Sequence, residues 1–346
     1  MAKIIELVTN AGQVDVTQGI VEEVVHAVPE MDFFDAGTIK GTTLATLART
    51  SLPTVAFRKI GDPVSSSRSG FAKRTVELAL LSGRVEISEA EAFANGLMTL
   101  EEQEVDEASA TLLAAFKALA AQIWYGAKTT GGDENGFDGA IDLVDASMVT
   151  LAGAGTTNKN TSVWFVKTKF KKDAGLAFSE NSKILASSDI EFRKGDILIK
   201  QDGAVVGVEP GYIGDLTSWA GLHLANKYSL ARLANVTATT GLNDDMLRDC
   251  IEAFAKANNG ALPDGIFMSY EARKMLRKSR EFALKLKSGG NGEVFAPTPK
   301  DVDDIPIYAT IAISNTEATV SDEDDSSASS SSSASSSSGS PSSSAA

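Results

Sequence analysis

Catalysis by a hydroxyl or thiol nucleophile needs a base beside it, and this 346-residue chain offers two histidines, His26 and His223, and one cysteine, Cys250. Neither histidine sits in a nucleophile elbow or another context that would pair it with a serine and an acid. Cys250 falls on the apolar side of a helix expected over 244–258, where a thiol acts as a small core residue. One cysteine excludes an internal disulfide, and so few Cys and His residues argue against a zinc site. The run Asp133-Glu134-Asn135-Gly136-Phe137-Asp138-Gly139 begins like a calcium loop. Phe137 and Asp138 stand where an acid and a glycine are wanted and the closing glutamate is missing, so the run reads as a turn. There is no glycine-rich phosphate loop. No catalytic residue, metal or cofactor is assigned, and the chain does not read as an enzyme.

Nucleic-acid chemistry has one candidate. Arg273, Lys274, Arg277, Lys278, Arg280, Lys285 and Lys287 crowd a helix expected over 269–287. A recognition helix normally follows a tight turn after another helix, whereas Asn258 to Met268 contains a proline and an expected strand. A DNA-binding protein using this helix stays as an alternative of a different class; a solvated or intersubunit face suits the pattern better. The formal charge of -14 also opposes a protein that coats phosphate. No stretch is apolar for long enough to span a bilayer, and the start of the sequence carries no secretory signal, so cytoplasmic synthesis is expected.

Charge is instead organised in two neighbouring blocks. Residues 52–84 alternate in the two-residue strand period at Val55 and Phe57 and again at Val76, Leu78 and Leu80, around a turn-rich tip from Gly61 to Gly70. This reads as a long hairpin, and it is basic: Arg58, Lys59, Arg68, Lys73, Arg74 and Arg84 oppose only Asp62 and Glu77. Residues 85–116 reverse the sign, with Glu101, Glu102, Glu104, Asp106 and Glu107 at the start of a helix and no Lys or Arg. Because an isolated hairpin is marginal in water, it should lie on something, and the acidic helix start is the complementary surface. The contact is internal if one chain makes it and drives assembly if two chains do. Arg58, Lys59, Arg68, Lys73 and Arg74 on one side and the five acids on the other are the candidate contact residues.

The elements that position these blocks follow from periodicity. Val105, Ala108, Leu112, Phe116, Leu119 and Ile123 mark one stripe of a helix over 99–125, capped by Thr99 with Glu102 and stopped at Gly126. Residues 1–50 lack a sustained period and read as an extended arm with one short helix. Short strands broken by glycine follow, clearest at Ser162–Lys167, Asp196–Ile199 and Ala204–Val208. Asn243 caps the 244–258 helix, Gly265–Met268 is a strand, and Ile305–Ile313 is an apolar run whose Pro306 suits a sheet edge. From Ser321 an acidic step leads into serine and alanine, a composition that cannot bury enough surface to fold.

The order of these elements resembles the major capsid protein of tailed bacteriophages. The phrases that carry the likeness are Leu52–Ile60 with its serine-rich tip, Ile123-Trp124-Tyr125-Gly126 followed by Gly136–Gly139, Thr161–Trp164, Trp219–Leu222, Ala231–Asn235, and Ile305–Ile307 through Asn315–Glu317. The resemblance implies an α+β chain with the Hong Kong 97-type capsid fold. Its implied parts are an N-terminal arm (1–50), an extended E-loop hairpin (51–88), and a P-domain (89–135) with a spine helix (99–125), completed by about 301–320. Residues 136–300 would be mainly A-domain with part of the P-domain sheet, and 321–346 a disordered tail. It also implies hexamers and pentamers closing into an icosahedral shell around double-stranded DNA, with the hairpin over a neighbouring copy. Expected partners are other copies, a separate scaffolding protein, a portal and DNA held non-specifically, with assembly in the host cytoplasm, residence in the virion and no membrane. Some members crosslink a hairpin lysine to a neighbour; the tip from Gly61 to Gly70 has none, so that chemistry is not carried over. An encapsulin-type nanocompartment shell, of the same architecture, is the close alternative.

Overall fold

A computed structural model of the chain describes residues 28–90, 100–129, 131–182, 190, 192–201, 204–287 and 295–321, with the side chains of 100–102, 199–206 and 285–287 excepted. Most of the expected N-terminal arm, the Thr99 cap and the serine-rich tail lie outside the described residues.

Continuous apolar runs make the central layer. Strands β6 (Thr161–Val166), β10 (Leu230–Val236) and β11 (Gly265–Ser269) are buried at every residue, as strands covered on both faces must be. They form a six-stranded sheet with β12 (Asp301–Val302), β13 (Ile305–Thr310) and β5 (Val149–Leu151), in the order β12-β13-β11-β6-β10-β5. The two-residue period sorts their side chains into separate cores. Trp164, Val166 and Phe267 face one core; Val163, Phe165, Ile266 and Met268 face the other. The expected edge position of the last run is corrected in detail: β13 has β11 on one side and the two-residue β12 on the other, where Pro306 lies opposite Asp301.

The first core is covered by α2 (Leu100–Tyr125), a helix of 26 residues, and by the short α1 (Pro29–Phe33) and α3 (Ala140–Leu143). Leu112, Phe116, Leu119 and Ile123 are buried as the spacing requires. Val105, counted on the same stripe, is 41% exposed, because burial on this face begins at Ala108. Gly126 ends the helix at φ 68°, and a Cβ there would lie 2.1 Å from the backbone nitrogen of Gly139, so only glycine fits. The second core is closed by α4 (Asp244–Ala257) and α5 (Tyr270–Lys287). Asn243 caps α4 by accepting from the Met246 amide at 2.8 Å. Cys250 is buried on its inner face, and burial pushes its thiol up to about 11.

A five-stranded sheet extends the first core. Its order is β1 (Ala36–Ile39), β7 (Ala174–Ser179), β9 (Ala204–Leu224), β4 (Ala79–Ser88), with β8 (Phe192–Gln201) also on β9. Helix α2 packs on β4, whose inner residues Ala79 and Leu81 join the core. Among the described residues, the remaining strands, β2 (Thr43–Ser51) and β3 (Gly70–Glu77), pair with each other alone.

A projecting arm and the surfaces around it

The hairpin exists, but its paired strands are displaced from the expected ones. Alternation predicts strands near Val55–Phe57 and Val76–Leu80, whereas the ladder runs from Thr43↔Glu77 to Ser51↔Gly70. The expected second strand is cut at Leu78, which is 5% exposed and seals the root; beyond it β4 belongs to the five-stranded sheet. The first strand, Leu44-Ala45-Thr46-Leu47-Ala48, is built from small or weakly apolar residues and gives a faint alternation.

The loop of residues 52–69 continues the arm. Ser51 stays opposite Gly70, whose amide donates to the Ser51 hydroxyl at 2.9 Å. Thr54 faces Ser67 through two bonds of 2.8 and 3.1 Å, and the Asp62 amide donates to the Lys59 carbonyl at 3.2 Å. These pairs keep one register, so the turn falls at Ile60-Gly61, with Gly61 at φ 98°. The arm is therefore one hairpin from Thr43 to Glu77, held near its end by side-chain bonds.

Its two faces differ. On the inner face Leu44 packs at the root with Ile39, Leu78, Phe170 and Trp219, and Arg74 donates to the Ala225 carbonyl at 3.0 Å. On the outer face Leu47 is 75% exposed, and Phe71 is also exposed, with Arg49 5.5 Å from its ring. Toward the tip Leu52, Val55, Phe57, Ile60 and Val64 are all exposed, Phe57 and Ile60 completely.

The candidate contact residues separate accordingly. Arg58 donates to the Asp62 carbonyl, and Lys59, Arg68 and Lys73 are exposed along the arm. Arg74 turns inward and serves the root, since register places it opposite Thr46 on the covered face. Asp106 and Glu107 are exposed and Glu104 half-buried on α2; the side chains of Glu101 and Glu102 lie outside the described residues. The arm leans on β9, while α2 packs on β4.

The calcium-like run is a turn gripped by Gln122, whose amide donates to the carbonyls of Phe137 and Asp133 at 2.7 and 3.2 Å and accepts from the Asp133 amide at 2.7 Å. Among the described residues no group of three metal-ligating side chains occurs, and no helix is long and apolar enough to cross a membrane. Helix α5 follows β11 directly, which is not the helix-turn arrangement, and Arg280 is bonded to both carboxylate oxygens of Asp244. His223 is fully buried without a hydrogen-bond partner among the described residues, and burial, then Arg74 and Lys171, push its imidazole down to about 4.

One group escaped sequence reasoning. Arg232 and Glu317, 6% and 4% exposed, pair at 3.0 Å, and Tyr125 donates to Glu317 at 2.8 Å while its oxygen accepts from the Ser314 amide at 2.6 Å. Arg232 also donates to Ser162 at 2.9 Å. This network clips the last described segment to the end of α2. Its partners are far apart in the chain, beyond any spacing rule, although Ala231–Asn235 and Asn315–Glu317 both belong to the phrases that carried the resemblance.

Comparison with known proteins places this architecture. A family model described as major capsid protein GP7 matches residues 20–321. A search of curated proteins finds no match. The structure of bacteriophage Epsilon15 aligns with TM-score 0.54 and 17% identity, covering 83% of this chain and 88% of that one. The bacteriophage JBD30 capsid aligns with TM-score 0.46 and 10% identity over 83% and 90% of the two chains. The SrpI encapsulin complex of Synechococcus elongatus PCC 7942 gives TM-score 0.39 and 7% identity over 60% and 86%. At 17% identity the Epsilon15 likeness is one of fold.

Proposed function

The chain belongs to the major capsid protein GP7 family, and on that premise we propose that its copies join as hexamers and pentamers into an icosahedral shell around double-stranded DNA. It is a major capsid protein, a structural subunit of a tailed-phage particle, with the α+β fold of that class. The observation that carries the assembly reading is the arm: its tip holds five large apolar side chains in water, at a place no other described residue covers. Large apolar side chains gathered in water in this way mark a surface that another molecule covers. The cations Arg58, Lys59, Arg68 and Lys73 give that surface a sign, and the acids of α2 on a neighbouring copy, Glu101, Glu102, Glu104, Asp106 and Glu107, are its complement.

The role is structural rather than catalytic in this reading, with a separate scaffolding protein and a portal as further partners and assembly in the host cytoplasm before residence in the virion. A subunit with an overall charge of -14 repels phosphate, so DNA is enclosed rather than gripped. The test is sedimentation velocity with negative-stain microscopy on the chain expressed alone and with its flanking genes. Closed particles or five- and six-membered rings are expected. A strict monomer under every condition would overturn the assembly reading.

A further inference from the structure

The arm's outermost residue is unusual for a turn. In Lys59-Ile60-Gly61-Asp62 the positive φ of Gly61 suits the third position, but the second, where proline or a polar residue is common, is a β-branched aliphatic with no cover at all. A pocket of matching character lies elsewhere. Between β4, α2 and the turn gripped by Gln122 is a cavity of about 100 Å³, bordered by Leu80, Leu81, Ala118, Leu119, Phe137 and Ala220. Asp133 stands on its rim with exposed Glu134 beside it. The volume is smaller than the roughly 150 Å³ that encloses a benzene ring, which favours an aliphatic occupant over Phe57.

We propose that Ile60 at the arm tip of one copy seats in this pocket on the next copy. The inference rests on the assembly reading and names where the arm ends. The occupant is another copy because Leu80 and Leu81 stand just past the root of the chain's own arm. Its own tip lies about 17 residues out, on the order of 55 Å at roughly 3.3 Å per residue. Charge agrees, since Lys59 flanks the tip and Asp133 and Glu134 flank the pocket. Reach agrees too. Arg68 stands about seven residues from the turn, roughly 23 Å along the arm. Asp106 and Glu107 stand about 12 residues before Ala118, roughly 18 Å along α2. One seated arm can thus bring Arg68 over the acidic start of the neighbour's helix. Tip-to-root contact is heterologous, the kind that closes into rings when the rotation between copies allows.

The experiment mixes full-length single variants, Ile60→Cys in one copy and Ala118→Cys in a size-tagged other, and reads the mixed disulfide dimer in the assembled fraction after mild oxidation. Asn135→Cys serves as a second acceptor on the rim should Ala118→Cys fail to assemble. Lys159→Cys, away from the pocket, and the parent chain with its buried Cys250 are controls. A mixed dimer with Ala118→Cys or Asn135→Cys, and none with the controls, supports the seat. Particles that form without that dimer overturn it while leaving the shell reading intact. A parent chain that never assembles overturns both.

Discussion

The arm and the six-stranded sheet are both β-structure, and they place their apolar residues in opposite ways. Strands β6, β10 and β11 bury every residue between two helical layers, so this part of the fold is finished within one chain. In the arm, half-buried and exposed residues alternate along β2 and β3, and exposure becomes complete toward the tip. The first region is stabilised by burial already made, and the second holds apolar surface in reserve for a partner. Substitutions in the two should therefore separate folding from assembly.

The largest effects belong to the finished core. Phe254→Ala should cost about 3–5 kcal/mol in denaturant unfolding of the subunit. Glu317→Ala, which strands Arg232 as a buried unpaired charge, should cost a similar ~3–5 kcal/mol. Losses below about 1 kcal/mol in both would mean that the core is not where stability resides.

The next effect depends on pH and sits at the root of the arm, where His223 on β9 lies against Phe170. His223 is pushed from 6.5 to about 4 in the folded chain, so between those values the unfolded chain binds a proton that the folded one rejects. Its contribution is complete above pH ~6.5 and declines as pH falls toward ~4, by at most ~1.4 kcal/mol per pH unit. His223→Leu should flatten that part of the stability profile. A profile unchanged by the substitution would show that the imidazole is not held neutral.

Smaller again, Arg74→Ala removes the bond from the arm root to Ala225 and should cost about 1–2 kcal/mol, with faster hydrogen exchange in β2 and β3 and no change in β6 or β11. At the small end, Phe57→Ser and Lys73→Glu should each move subunit stability by less than about 0.5 kcal/mol while reducing particle yield. A stability loss as large as the core variants' would erase the contrast between the regions.

The sequence was most informative where a local period governs structure. The stripe from Leu112 to Ile123 with its stop at Gly126 marks helix α2 closely, and the run Val163-Trp164-Phe165-Val166 marks a strand, β6. The arm was found but misplaced by about eight residues, because Thr43–Ser51 pairs through a weakly apolar sequence while the stronger alternation at Val55 and Phe57 stays in water. Charge alone groups Arg74 with the outward cations, but charge ignores register, and its place opposite Thr46 turns it inward. The Arg232–Glu317 pair joins residues brought together only by tertiary folding, and no local rule reaches that far.

The most direct test of this division replaces Leu52–Ser69 with a two-residue Asn-Gly turn, which leaves β2 and β3 joined. Thermal unfolding and sedimentation velocity are then measured on the same preparation. An unchanged melting temperature and the disappearance of closed particles are expected. Particles that still close, or a subunit that no longer folds, would contradict the division.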